Sequence, residues 1–391
     1  VLDSFRRLGA ALEDGWRDAD RDEERFGDVA ALALEEVPVH RGFEREALLE
    51  ALLDPHEGGR QQLAQVGSFG QPGTTVFHGD GFVIEIYYWL DSQSAIHNHP
   101  FCGVFTVLDG WSVHARYKLS RASRAGARGQ LLDVWLAGLE LVEPGQIEKF
   151  SLRRHPLVHA LVHVPVPTVS MVVRTTRTEG YFRYLPPSLA LPMEPPGEPM
   201  VRRLALLESM IAAGEPSAGE HVRTFLGRAD FESAVHLLSN LWPRVEPTER
   251  EPLLEAIAPL HGDRIDAVRA ALGRGLRLQQ ATSVRASLEE PDHRLCATAL
   301  AYAESRDHVL RLLAQRDGDP IERLQAFADA VFTAGDEQAT RTIAGVLIEG
   351  QGTAAALTTL ESTYGPDAVA EQRGEVQRFC AESIFSVLAV S

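Results

Sequence analysis

The sequence predicts a β-domain that carries N-terminal helices, followed by an all-α domain. Apolar residues recur at helical spacing as far as about Leu53 and then switch to a period of two between about Val66 and Tyr184. They return to helical spacing after a proline-rich stretch, and a length of 391 residues fits roughly two domains of ordinary size. Hydrophobic residues at 45% and charged residues at 24% supply enough apolar surface for two folded cores and argue against a disordered chain. The expected division is 1–198 for the β-domain with its helical segment, strands at about 66–184, and 199–391 for the helices.

Phe5, Leu8 and Leu12, then Leu48, Leu49 and Leu52, mark the first helices. Phe82, Ile84, Ile86, Tyr88 and Leu90 alternate with Val83, Glu85, Tyr87 and Trp89, a strand pattern rich in aromatic and β-branched residues. Val104 to Leu108 continues it, then Asp109-Gly110, then Trp111 to Leu119. Asp-Gly between two such runs predicts a hairpin, because both turn residues tolerate positive φ. Further strands are expected at Leu131–Leu136, Leu139–Val142 and Thr168–Thr175, with a turn at Pro144-Gly145.

Pro186-Pro187, Pro192, Pro195-Pro196 and Pro199 read as a stiff extended connector. Beyond it, Asp230 is placed to cap a helix bearing Phe231, Val235, Leu238 and Trp242. Asp319-Pro320 starts another, with Ile321, Leu324, Ala328 and Val331 inward, while Ser305, Asp336 and Gly365-Pro366 punctuate the rest. These short amphipathic helices look similar to a HEAT-like array of antiparallel pairs.

A formal net charge of −17 removes the electrostatic reason to bind nucleic acid or anionic lipid. The basic run Arg121 to Arg128 contains Gly and Ser and reads as a solvated loop. No apolar run approaches the roughly 20 residues of a membrane helix. Cys102, Cys296 and Cys380 are odd in number and far apart, which argues against a disulfide framework. No secretory signal is read at the start, so a cytoplasmic location is the expectation.

Six of the 14 histidines fall between His97 and His163. In extended backbone, residues two apart share a face, so His97 and His99 of Ile96-His97-Asn98-His99-Pro100 can aim both imidazoles at one metal. His159, His155 and His163 are candidates for a third ligand, His155 reading as an exposed turn before Pro156. His114 reads as solvent-facing or as a satisfied core histidine. His78 and the histidines of the helical region read as surface residues.

The order of these features resembles the two-motif layout of the cupin superfamily, over about Gly67 to Tyr184. It runs strand, His-x-His, a strand closing in Leu-Asp-Gly, a Pro-Gly turn, then a histidine before another strand. The pattern is most similar to the cysteine dioxygenase-like cupins, and Val158 to Met171 looks like their second motif. The resemblance implies a jelly-roll-type barrel holding iron(II) on His97, His99 and His159 with no carboxylate. Where many cupins place a ligand glutamate, Gly103 or Val104 stands instead; His163 falls where a supporting asparagine is common. Zinc, nickel or copper also suit three histidines.

The resemblance breaks around the ligands. No arginine occurs in Gln71 to Asp80, where the dioxygenases grip their substrate, and their crosslinking cysteine maps onto Val104, with Cys102 two residues away. Their Ser-His-Tyr relay reads here as Ser170, Val172 and Arg174, which argues against free cysteine as substrate. If that strand face lines the pocket, Ser170 and Arg174 are the candidate catalytic residues, Arg174 offering a fork to a carboxylate or phosphate. What is implied is a mononuclear, O2-dependent iron(II) oxygenase acting on a small or peptide-borne substrate. The alternatives are a non-oxidative metal enzyme, isomerase or hydrolase, and a ligand-sensing scaffold whose helical domain receives a protein partner.

Overall fold

The computed structural model describes residues 2–54, 73–90, 94–120, 123–124, 128–194, 197–332 and 338–389. The expected strand onset near Val66, Gln71-Pro72, most of the Arg121 to Arg128 run, Pro195-Pro196 and Asp336 lie outside the described residues. The chain forms two compact units: Val1–Tyr117 with Glu140–Arg183, and Lys118–Leu139 with Tyr184–Ser391. The residues after Tyr184 that read as a connector belong to the second unit.

The first unit opens with helices α1 (Leu2–Asp18), α2 (Glu23–Glu36) and α3 (Arg45–Leu53). Asp22 starts α2 by accepting a hydrogen bond from the Glu24 amide. A curled antiparallel sheet domain follows. Its strands are β1 (Thr74–His78), β2 (Phe82–Trp89), β3 (His97–Asn98), β4 (Gly103–Asp109) and β5 (Ser112–Leu119). After β6 (Ser123–Arg124), β7 (Gln130–Leu131) and β8 (Val134–Val142) come β9 (Ile147–Phe150), β10 (Val158–His163), β11 (Thr168–Thr175), β12 (Phe182–Leu185) and β13 (Leu189–Pro192).

Five strands form one sheet in the order β1-β2-β11-β4-β9. Its outer face packs under α1 and α2: Phe5, Leu8, Leu12, Trp16 and Phe26 meet Phe82, Ile84, Ile86, Val104, Met171 and Val173. The edge-to-face contact of Trp16 with Phe26, at 4.8 Å between ring centroids, locks the two helices over Phe82. Gly27 permits this approach, since a Cβ there would lie 2.9 Å from the Gly103 carbonyl oxygen. The alternate residues of the same strands turn to the other face, where Phe105, Val107, Val142 and Phe150 cluster with Val172. Strands β3, β10 and β5 pair in that order in the second sheet of this unit.

The Asp109-Gly110 turn corrects the expected hairpin. Gly110 does take positive φ, at 83°, but β4 is already flanked by β11 and β9, while β5 pairs with β10. With both edges of β4 taken, the turn carries the chain from one sheet to the other. The two strands expected at Leu131–Leu136 and Leu139–Val142 are replaced by the short β7 and by β8, which runs on through Gly138.

In the second unit, β7 pairs with β6 and β13, and among the described residues the regular elements from Glu198 onward are all helices. Its helices are α4 (Glu198–Ala212), α5 (Ala218–Leu226), α6 (Phe231–Leu241), α7 (Pro247–His261), α8 (Ile265–Ala286) and α9 (Pro291–Tyr302). They continue with α10 (Arg306–Leu313), α11 (Pro320–Val331), α12 (Gln338–Ile348), α13 (Thr353–Tyr364) and α14 (Pro366–Glu382). Asp230 and Asp319 cap α6 and α11 through their side chains, as their positions predict, and Ser305, expected only as punctuation, caps α10. His261 departs from the surface assignment of the helical histidines: it is buried, with Nε2 at 3.0 Å from the Ala229 carbonyl and its ring edge-on to Phe231. Among the described residues, no helix is long and apolar enough to cross a membrane.

Candidate metal centre

Two antiparallel strands bring the three histidines together. In the β3–β10 pair, His97 lies opposite His159, and directly opposed residues project to the same side of a sheet. His99, two residues on, shares that side. Asn98 between them points away and is clamped, donating from Nδ2 to the Gly180 carbonyl at 2.7 Å and accepting from the Phe182 amide at 2.8 Å. Ahead of the motif, Ser94 ties to Leu161 of β10: its amide donates to the Leu161 carbonyl at 2.9 Å and its hydroxyl accepts from the Leu161 amide at 2.8 Å. Short as it is, β3 is therefore held from both ends.

The three rings converge. Centroids lie 5.0 Å apart for His97–His99 and 4.8 Å for both His97–His159 and His99–His159. One nitrogen from each falls within 4.8 Å of the others, and both His97 and His159 are buried. His97 Nδ1 sits 2.7 Å from the Ala95 carbonyl, which can only accept, so the proton is on Nδ1 and Nε2 keeps its lone pair. Phe150 stacks on His99 at 3.8 Å, and Phe105 lies 5.4 Å from His159, so apolar rings close the sides.

Burial keeps these histidines neutral. It lowers His97 to a pKa of about 4, and holds His99 and His159 well below the usual histidine range, with neighbouring histidines adding to the effect. Neutral imidazole is the form that lends a lone pair to a cation. His99 Nε2 and His159 Nε2 stand 2.8 Å apart. With metal–nitrogen bonds of about 2.0–2.1 Å, two ligands at a right angle would stand about 2.9 Å apart, so the spacing fits. The buried three-histidine group could hold a metal ion.

Behind His159 lies a polar chain. His159 Nδ1 is 2.8 Å from His114 Nε2, and Arg116 Nε donates to His114 Nδ1 at 3.3 Å. Arg116 is in turn held by Glu148 at 2.5 Å and Glu140 at 2.6 Å. This donor direction puts the remaining His114 proton on Nε2, pointing at His159, and the His159 proton on Nε2, toward His99. A cation at the three nitrogens would need the other arrangement of this chain, with the His159 proton on Nδ1 toward His114 and the His114 proton on its own Nδ1, so that His159 Nε2 keeps its lone pair. His114, Glu140 and Glu148 also lie within 4.8 Å of one another, but Arg116 already supplies their positive charge.

The remaining nominated residues have other partners. His163 bonds Ser112 at 2.8 Å and stacks on Trp89 at 4.2 Å, while His155 is half-exposed, 3.6 Å from Asp28. Among the described residues, neither joins a metal-capable group. Ser170 Oγ accepts from Trp89 Nε1 at 2.7 Å. Arg174 is buried and forked onto Glu85, at 2.7 Å from Nε and 3.2 Å from Nη2, with its guanidinium 4.7 Å from the centre of the Phe101 ring. Tyr87 donates to the same carboxylate at 3.2 Å.

Gly103 leaves no room for a carboxylate at its position. A Cβ there would stand 2.0 Å from the Val173 carbonyl oxygen, so no side chain fits, and Val104 packs toward the N-terminal helices. Cys102 packs into that same outer core. His114, Glu85 and Arg116 were not among the nominated site residues. Their signal was the alternation of Ser112, His114 and Arg116 along one strand face. The chain matches no family model and no curated protein sequence.

Proposed function

We propose that the first unit is a cupin-type barrel with a mononuclear centre on His97, His99 and His159, and that the chain is an O2-dependent iron(II) oxygenase. Its substrate would be a small or peptide-borne molecule other than free cysteine. One observation carries the reading: three buried, neutral imidazoles converge with no carboxylate among them. Bound iron(II) would supply a redox-active site that brings dioxygen and an anionic substrate group together, its double charge being unneutralised by the protein.

The chain's own residues prepare that chemistry. Phe101, Phe105 and Phe150 exclude water from the imidazoles. His114 and Ala95 fix the orientation of His159 and His97. Tyr181 stands edge-on to His97 at 5.9 Å, and burial raises its phenol above the usual range, so it keeps a proton to donate. The absence of a fitting arginine before β2, and the engagement of Arg174 by Glu85, support a substrate other than free cysteine.

The test is metal content and oxygen uptake after equal exposure to iron(II). His97→Ala, His99→Ala and His159→Ala should each give folded protein nearly free of metal, whereas His155→Ala should load like wild type. Iron-dependent oxygen consumption supports the oxygenase. Full loading with no uptake under any reductant would leave a non-oxidative centre, and full metal in all three variants would remove the centre altogether.

A further inference from the structure

The all-helical part of the second unit reverses the charge of the chain locally. Helix α8 contains Arg269, Arg274, Arg277 and Arg285 against a single acid, Asp266, in a protein of formal net charge −17. Arg269, Arg274 and Arg277 line a cavity of about 580 Å³ together with Arg250 of α7. The carboxylates in its wall are Glu304 and Glu382; Arg269 is paired with Glu251 and Asp266 outside the wall, so Arg250, Arg274 and Arg277 against the two wall carboxylates leave a formal charge of +1.

Several of these guanidiniums are already oriented. Arg274 donates to the carbonyls of Tyr302 at 2.7 Å and Ala303 at 3.3 Å, which uses two of its five donors at the end of α9. Arg269 is held by Glu251 and Asp266, each at 2.5 Å. Arg250 lies over the Trp242 ring at 5.6 Å, and its Nε is buried with no hydrogen-bond partner among the described residues. A buried charged donor of this kind costs free energy until an acceptor reaches it. The floor between the arginines is open: a Cβ added at Gly273 would meet nothing within 4 Å.

From this we infer that the cavity binds a phosphate-bearing small molecule. A phosphate monoester carries about −1.5 to −2 charge at neutral pH, with three acceptor oxygens, so it can engage several guanidiniums of the wall at once, where a carboxylate offers only two oxygens. The volume lies in the ~300–1,000 Å³ range of small-molecule sites and is too large for a bare phosphate, so the ligand has a body. Trp242 and the Pro186-Pro187 edge offer that body a flat apolar wall.

The probes are phenyl phosphate, benzoate and phenol, titrated into the full-length protein by calorimetry at low ionic strength. Phenyl phosphate should bind saturably at millimolar concentration or below, weaken as salt rises, and be displaced by inorganic phosphate. Arg250→Gln and Arg274→Gln should each lower its affinity by about tenfold or more. Because Arg274→Gln also loosens α9, Gly273→Trp is the independent variant: it fills the cavity, alters no charge and should abolish binding in a protein of unchanged circular dichroism. Absence of saturable binding, benzoate binding as well as phenyl phosphate, or full binding by Gly273→Trp would each overturn the assignment.

Discussion

Replacing Arg174 by Met should destabilise the first unit by about 3–5 kcal/mol, because it strands a carboxylate in the interior. The side chains of Arg174 and Glu85 are only 4% and 6% exposed, so solvent does little to screen them. The pair is a two-point fork at 2.7 and 3.2 Å, backed by the Arg174 donation to the Thr175 carbonyl and by the Phe101 ring. Without the guanidinium, the side-chain hydrogen bond left to Glu85 among the described residues is the weak donation from Tyr87 at 3.2 Å. At roughly 2–4 °C per kcal/mol for a unit of this size, the midpoint should fall by about 6–20 °C. Glu85→Leu combined with Arg174→Met should recover most of the loss, since neither charge then has to leave water. Unfolding of the metal-free protein measures both singles and the double, and metal loading should survive in all three because neither residue touches the imidazoles. If Arg174→Met alone were within about 1 kcal/mol of wild type, the pair would not be a structural element, and Arg174 would be available to grip a ligand. An anionic substrate that reached Arg174 in this structure would have to compete with Glu85.

Three further outcomes follow from the site. His114→Ala removes the partner of His159 Nδ1 and should weaken metal binding by about 10–100-fold without abolishing it, as measured by competition with a chelator. A loss as complete as that in His159→Ala would make His114 a ligand. In metal-free protein, stability should be full above about pH 6.5 and fall on acidification, because the unfolded chain takes up protons that buried histidines refuse. Depression of His97 to about 4 alone corresponds to about 3 kcal/mol lost as the pH drops through that window, and His114, lowered to about 3 by burial and then by Arg116, acts in the same direction. A flat thermal midpoint from about pH 7 to about pH 4 would contradict the burial of these rings. Finally, Gly103→Ala forces a Cβ to 2.0 Å from the Val173 carbonyl and should cost about 1–3 kcal/mol or more in thermal unfolding; wild-type stability would mean that the β4–β11 register is wrong.

What the sequence made legible was local. The helix caps at Asp230 and Asp319 depend on a side chain and an amide two or three residues away, and they form as the spacing predicts. The shared face of His97 and His99 is likewise a matter of two residues. The choice of His159 depended on a resemblance, because nothing near it in the sequence says that β10 lies against β3. The β4-to-β5 turn was misread for a related reason: Gly110 fixes the turn's backbone, but whether the strands pair is decided by β11 and β9, which reach β4 from more than 35 residues away in the chain. Glu85 and Arg174 are 89 residues apart and could not be matched by pattern.

The period of two in β2 and β5 does not separate core from solvent in this unit. A period of two is usually taken to separate core from solvent, so Glu85 and Tyr87 on β2, and Ser112, His114 and Arg116 on β5, look like outward faces. In this unit both faces of those strands are covered: Ile84 and Ile86 meet the N-terminal helices, while Glu85 and His114 are themselves buried. Where helices cover the outside of a curled sheet, the polar half of the alternation must be the inside. A polar face enclosed in this way needs internal partners for every donor and acceptor. The Glu85–Arg174 fork, the Trp89–Ser170 bond and the His159–His114–Arg116 chain supply such partners. The three inward imidazole nitrogens offer lone pairs in that interior that a cation could complete.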